Sequence, residues 1–171
     1  VSPDGQHIVF AAATGGAARL WVRPLGDLSA KELPGTDGGT SPFWSPDGRW
    51  IAYSSNASGR YEIWTRSFPD LANVTQVSLN GGTNPRWSPD GRQLAVTLTR
   101  DGGSQLYLMN ADGTGLKRLM SSPGVDTETW FAPDGRSILF TSDRGGSPQI
   151  YRVGVSGGAV ERITFDGSYN V

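Results

Sequence analysis

The sequence predicts an all-β protein, a β-propeller built from four four-stranded antiparallel blades, and three observations carry that prediction. The signature Ser-Pro-Asp-Gly occurs at Ser2–Gly5, Ser45–Gly48 and Ser88–Gly91, with a variant at Ala132–Gly135. Its prolines, Pro3, Pro46, Pro89 and Pro133, are spaced by 43, 43 and 44 residues. An aliphatic–aromatic pair keeps the same beat at Leu20-Trp21, Ile63-Trp64, Leu106-Tyr107 and Ile150-Tyr151. Within each repeat the apolar residues alternate with period two, as half-buried strands require. Two markers in step at about 40–50 residues are the pattern of propeller blades. One domain over 1–171 is expected, with repeats near 1–43, 44–86, 87–130 and 131–171.

The second repeat shows the elements in order. Pro42-Phe43-Trp44 forms an inner strand and Pro46-Asp47-Gly48 the turn that follows it. Trp50–Ser54 and Glu62–Ser67 form the middle strands, joined through 56–60, and Thr75–Ser78 closes the blade outside. Proline presets φ at the first central turn position, Asp bonds its own backbone, and Gly accepts positive φ. The aspartates of these turns are therefore read as structural. No window sustains a 3.6-residue period, and Gly or Pro interrupts nearly every stretch longer than about ten residues.

The chain ends match each other. Gly167-Ser168-Tyr169-Asn170-Val171 repeats the opening of Gly39-Thr40-Ser41-Pro42-Phe43-Trp44 and of Gly82-Thr83-Asn84-Pro85-Arg86-Trp87, and Val1 stands where Trp44 or Trp87 would. The expectation is four whole repeats cut inside one inner strand. Tyr169, Asn170 and Val171 would then complete the blade that opens at Val1. Closure within one chain gives a four-bladed ring, and strand exchange between two chains gives an eight-bladed homodimer. A bare edge is disfavoured because unpaired backbone groups invite aggregation.

Composition excludes several function classes. The formal net charge is −1, with 15 basic and 16 acidic residues and no run of like charge, so no nucleic-acid partner is expected. There is no cysteine, hence no disulfide, thiolate metal site or cysteine nucleophile. No stretch reaches the roughly 18–20 apolar residues of a membrane span, and 1–5 lacks the features of a secretory signal. Membrane insertion is not expected.

Catalytic constellations are equally absent from the pattern. His7, the only histidine, opens a strand just after a turn and reads as structural. No Gly-x-Ser-x-Gly elbow is present. Asp126 and Glu128 are the one close acidic pair outside the Pro-Asp-Gly turns, weak grounds for a glycosidase. The Gly-rich turns lack the helix and Lys-Ser/Thr of a phosphate cradle and read as hairpins. No cofactor, metal site or catalytic residue is predicted. The recurrent aromatics Trp21, Trp64, Tyr107 and Tyr151 read as core.

Binding is expected on the loops of one face, because loops carry recognition where the sheets hold the scaffold rigid. That face presents Thr40, Ser41, Thr83, Asn84, Asp126, Thr127, Glu128, Tyr169 and Asn170 from the connections into inner strands. Asn56, Arg60, Arg100, Asp101, Asp143 and Arg144 come from the loops between second and third strands. The mixture suits a protein or peptide partner. The candidate partner-binding set is Asn84, Arg100, Asp126, Thr127, Glu128, Asp143, Arg144, Tyr169 and Asn170.

These blades resemble the WD-like repeats of the TolB β-propeller family, most strongly from Asn84-Pro85-Arg86-Trp87-Ser88-Pro89-Asp90-Gly91 to Val171. The runs Leu106–Gly113, Phe140–Gly146, Gln149–Val153 and Arg162–Ser168 carry the likeness. The first half, including Leu20-Trp21-Val22-Arg23-Pro24-Leu25, is more similar to related bacterial repeats that accompany kinase and peptidase domains. The resemblance implies a non-catalytic, periplasmic, protein-binding propeller whose partner is a peptidoglycan-associated (Pal-like) lipoprotein of the Tol–Pal envelope system. The family pattern has six blades behind an N-terminal domain, and this chain departs from it with four repeats. The alternative is a fragment or recombined propeller whose relevant property is folding and assembly.

Overall fold

The computed structural model describes all residues except Thr14, Asp101, Gly102, Ser168 and Val171, and only the backbone of Thr83, Asn84 and Arg100. The chain divides into two compact units, Val1–Gly81 and Gly82–Val171, each with two antiparallel sheets.

In the first unit, β1 (His7–Ala13), β2 (Ala18–Pro24) and β3 (Lys31–Glu32) form one sheet. The second sheet is β4 (Gly39–Trp44), β5 (Trp50–Ser55), β6 (Glu62–Ser67) and β7 (Val74–Gln76). The second unit repeats the plan with β8 (Gly82–Trp87), β9 (Gln93–Arg100), β10 (Gly103–Asn110) and β11 (Lys117–Arg118). Its last sheet is β12 (Asp126–Phe131), β13 (Ser137–Ser142), β14 (Gln149–Gly154) and β15 (Glu161–Arg162).

Each Ser-Pro-Asp-Gly turn is a closed hydrogen-bonded unit. In the second, the Ser45 hydroxyl donates to Asp47 Oδ1 at 2.6 Å and accepts from Trp50 N–H at 2.9 Å, while Gly48 N–H donates to Ser45 C=O at 2.9 Å. Gly48 sits at φ 71°, which glycine adopts without steric cost. The same bonds recur at Ser2 and Ser88. In the fourth turn Ala132 supplies no hydroxyl, and the Gly135 N–H bond to Ala132 C=O at 2.9 Å remains.

The recurrent aromatics lie opposite a residue of the neighbouring strand: Phe10↔Trp21, Tyr53↔Trp64, Val96↔Tyr107 and Phe140↔Tyr151. Tyr53 stacks on Trp64 at 6.5 Å, and Phe140 on Tyr151 at 6.0 Å. The first unit's core gathers Val9, Leu20, Val22, Leu33, Trp44, Ile51 and Tyr53. Burial there pushes the Tyr53 hydroxyl up to about 12. The second unit's core gathers Ala95, Leu106, Leu108, Leu119, Ile138, Phe140, Tyr151 and Val153. His7 packs edge-on against Phe68 at 5.1 Å, part of this scaffold.

One expectation needs correction. The first sheet has three strands among the described residues, not four, and β1 pairs only with β2. The segment expected to fill that edge is attached locally: Asn170 N–H donates to Pro148 C=O at 3.0 Å, and its side-chain amide reaches Gln149 Oε1 and Asp166 C=O. Gly167, at φ 85°, accepts at its C=O from the Gln149 side-chain amide at 3.0 Å. Val1 is exposed and outside any strand, and Val171 lies outside the described residues.

Candidate functional site

The three inner strands β4, β8 and β12 each carry a break in register, between Thr40 and Phe43, Thr83 and Arg86, and Thr127 and Trp130. Such bulges re-aim side chains and interrupt pairing. At two of them a non-glycine residue occupies the left-handed region, Ser41 at φ 49° and Glu128 at φ 51°. That conformation costs on the order of 1–3 kcal/mol. Glu128 is exposed, and its Oε2 accepts from the Thr141 hydroxyl at 3.1 Å.

Asp126 opens the same strand but points inward, its side chain fully buried. Its Oδ1 accepts from Arg144 Nη2 at 2.8 Å and from the Ser122 hydroxyl at 3.2 Å. Arg144, with a side chain 15% exposed, also donates from Nε to Ser142 Oγ at 3.0 Å and from Nη2 to Ser122 Oγ at 3.1 Å. Its guanidinium lies 5.1 Å from the Phe140 ring centroid and 5.0 Å from that of Tyr151, at cation–π distance. One arginine thus ties the 122–126 connection to the 142–144 turn.

The repeat gives these residues their counterparts in the other blades. Aligned on the Ser-Pro-Asp-Gly turns, Asp126 stands where the second blade has Gly39 and the third Gly82, and Arg144 stands where the second has Ala57. Asp126 departs from that glycine, whereas Arg144 has an arginine counterpart in Arg100 of the third blade, and the two meet as one ion pair. Gly124 permits the close approach: a Cβ there would lie 2.3 Å from Asp143 Oδ1 and 2.9 Å from Arg144 N. Asp143 Oδ1 in turn accepts from Val125 N–H at 2.8 Å.

Two cavities flank this connection. The larger, about 560 Å³, is lined by Gln105, Arg118, Ser122, Asp143, Arg144 and neighbouring backbone. The smaller, about 140 Å³, is lined by Thr127, Glu128, Thr141, Pro148 and Tyr169, and the two share Val125 and Asp143. Of the candidate residues, Asp126, Thr127, Glu128, Asp143, Arg144 and Tyr169 thus come together here. Asn170 is beside them through its bond to Pro148. Asn84 and Arg100 have their backbones in β8 and β9, and their side chains and Asp101 lie outside the described residues.

Sequence reasoning passed over Gln105, Arg118 and Ser122. It also passed over the cation–π contact of Arg86 with Trp130 at 4.1 Å, on adjacent inner strands. Register comparison between blades was the available signal. Gln105 aligns with Glu62 and Gln149. All three reach the turn ahead of the following inner-strand segment: Glu62 accepts from Gly81 N–H, Gln105 donates to Gly124 C=O and Gln149 donates to Gly167 C=O.

Among the described residues no group of three or more His, Cys, Asp or Glu converges to hold a metal ion. No helix among them is long and apolar enough to cross a membrane. What the site offers is oriented hydrogen bonding, with guanidinium donors on one side of the Val125–Asp143 ridge and a held-out carboxylate on the other.

Residues 82–171, just over half of the chain, match the family model described as TolB beta propeller domain. The chain belongs to the TolB β-propeller domain family. TolB from Acinetobacter baumannii is similar at 33% identity and a TM-score of 0.69, over 96% of this chain and 43% of that one. A putative TolB from Agrobacterium tumefaciens is 30% identical, TM-score 0.69, over 96% of this chain and 60% of its own. The chain therefore spans less than two thirds of either TolB protein. The β-propeller domain of the Trilobed protease from Pyrococcus furiosus shares the fold at 16% identity and a TM-score of 0.68, over 92% of this chain and 53% of that one. No curated protein matches the sequence significantly. The TolB model covers the half whose motifs most resemble that family, and the same half holds the site.

Proposed function

We propose that the chain is a non-catalytic, protein-binding TolB-type propeller acting as one domain over 1–171. It takes a protein or peptide partner on the loop face of its second unit. The observation that carries this reading is the strained Glu128, held out at φ 51° beside a cavity with Thr127, Thr141 and Tyr169, inside the segment that matches the TolB model. Backbone strain persists only where surrounding structure enforces it, and it gathers at functional positions. Tyr169, 67% exposed, adds an amphipathic ring of the kind enriched at interfaces. By family the partner is a Pal-like lipoprotein and the compartment the periplasm.

Titration calorimetry with a soluble Pal-like lipoprotein domain tests this. Glu128→Ala should weaken binding at least about tenfold, the effect of losing one polar anchor, with unfolding unchanged. Arg136→Ala, on the opposite turns, should leave affinity unaltered. Equal affinities for the two variants, or no binding by the parent chain, would overturn the reading.

A further inference from the structure

The larger cavity has a polarity of its own. Its volume, about 560 Å³, falls within the range of ligand pockets, and polar surface predominates in its wall, with Pro123 and Val125 among the apolar contributors. Most of the strong acceptors in it are already engaged. Gln105 Oε1 accepts from Arg118 Nη2 at 2.5 Å. Ser122 Oγ accepts from Arg144 and from Gly124 N–H, and Asp143 Oδ1 accepts from Val125 N–H. Asp143 Oδ2 is the remaining carboxylate oxygen.

The donors are in surplus. Arg118 spends Nε on Met120 C=O and Nη2 on Gln105, and Arg144 spends Nε and Nη2 on the bonds given above. Neither Nη1 has a partner among the described residues. Arg144 is balanced by buried Asp126, whereas Arg118 makes no ion pair among the described residues. A guanidinium edge so placed matches a carboxylate with two parallel N–H···O bonds. In the second blade Glu62 stands in the place of Gln105, and Gln76, opposite Trp64, in that of Arg118, opposite Tyr107, so the arginine is absent there.

We propose that this cavity is a socket for an acidic side chain, Asp or Glu, of the partner protein, with Arg118 as its charge partner and Arg144 as a second donor edge. The proposal rests on the protein-binding reading above. The Val125–Asp143 ridge common to both cavities gives the geometry: a partner segment crossing it reaches Arg118 on one side and Glu128 on the other.

Nitrogen-15 NMR of the whole chain tests the socket with three probes at matched ionic strength: acetyl-Gly-Glu-Gly-amide, acetyl-Gly-Gln-Gly-amide and sodium acetate. The glutamyl peptide should produce saturable shifts of the Arg118 and Arg144 Nε–H signals, with an apparent affinity at least tenfold above the other two. Arg118→Gln, at an exposed position, should abolish that response and leave the spectrum otherwise folded. A glutaminyl or acetate response of equal affinity, or a glutamyl response surviving Arg118→Gln, would overturn the proposal. Lipoprotein capture without a glutamyl response refutes the socket alone. A glutamyl response without capture supports the socket and refutes the Pal-like reading.

Discussion

Removing Arg144 should destabilise the second unit strongly, and removing its partner as well should recover much of the loss. Arg144→Ala strands a carboxylate whose side chain is fully buried, with the Ser122 hydroxyl as its remaining donor. Breaking a buried ion pair from one side costs about 3–5 kcal/mol. The surviving hydroxyl favours the lower end, about 3 kcal/mol, and lost stacking on Phe140 and Tyr151 adds about 0.5–1 kcal/mol. The double variant Asp126→Gly with Arg144→Ala carries the residues that the second blade has at these positions, Gly39 and Ala57. It leaves no buried charge, and deleting both partners of such a pair is often near neutral. Extra glycine entropy costs about 0.5–1 kcal/mol, so the double variant should lie within about 1–2 kcal/mol of the parent. Urea unfolding followed by tryptophan fluorescence reads this directly. At a typical slope of about 1–3 kcal/mol per molar, the single variant's midpoint should fall by about 1 M or more, and the double should regain over half of that. Additive losses, with the double variant below Arg144→Ala, would refute the account of Asp126 and Arg144 as one coupled pair.

Glu62, 1% exposed, accepts from the Ser78 hydroxyl and from Gly81 N–H at 2.9 and 3.1 Å. Glu62→Ala should cost about 1–3 kcal/mol by orphaning those donors, and Glu62→Gln less, because Gln105 and Gln149 hold the aligned positions; thermal unfolding of both variants checks the order. The Ser88 hydroxyl, followed by Arg92 N–H, holds the Asp90 carboxyl below its usual range. A depressed folded pKa gives stability that is present above the ordinary value near 3.9 and is lost as pH falls through the folded one. Ser88→Ala should raise the Asp90 titration toward the ordinary carboxylate value in carbon-13 NMR, and an unmoved titration would contradict the hydroxyl's role.

Blade identity was legible because turn chemistry and strand alternation are local. The expected strand Glu62–Ser67 matches the observed β6, whose residues pair on both sides. The inner strand expected over Pro42–Trp44 begins at Gly39. The residues before the bulge pair beyond a kink at Ser41, and nothing in a serine announces positive φ. The outer strand was read as Thr75–Ser78 and is Val74–Gln76; the Val77 and Ser78 amides donate to Ile63 C=O outside the ladder. At the site, Asp126 and Arg144 were legible as neighbours on one face. That one is buried and pairs with the other depends on a contact across 18 residues, between a connection and a hairpin turn. The donor surplus around Arg118 was not legible, because it depends on which bonds Gln105 and Ser122 have already made.

The central claim, that a partner sits on the loop face of the second unit, is tested most directly by an amide hydrogen-exchange footprint with a soluble Pal-like lipoprotein domain bound. Slowed exchange is expected across 122–128 and 143–148, with none at the 132–136 turn. Slowing confined to the Ser-Pro-Asp-Gly turns or to residues 1–81, or no slowing at all, would contradict the account.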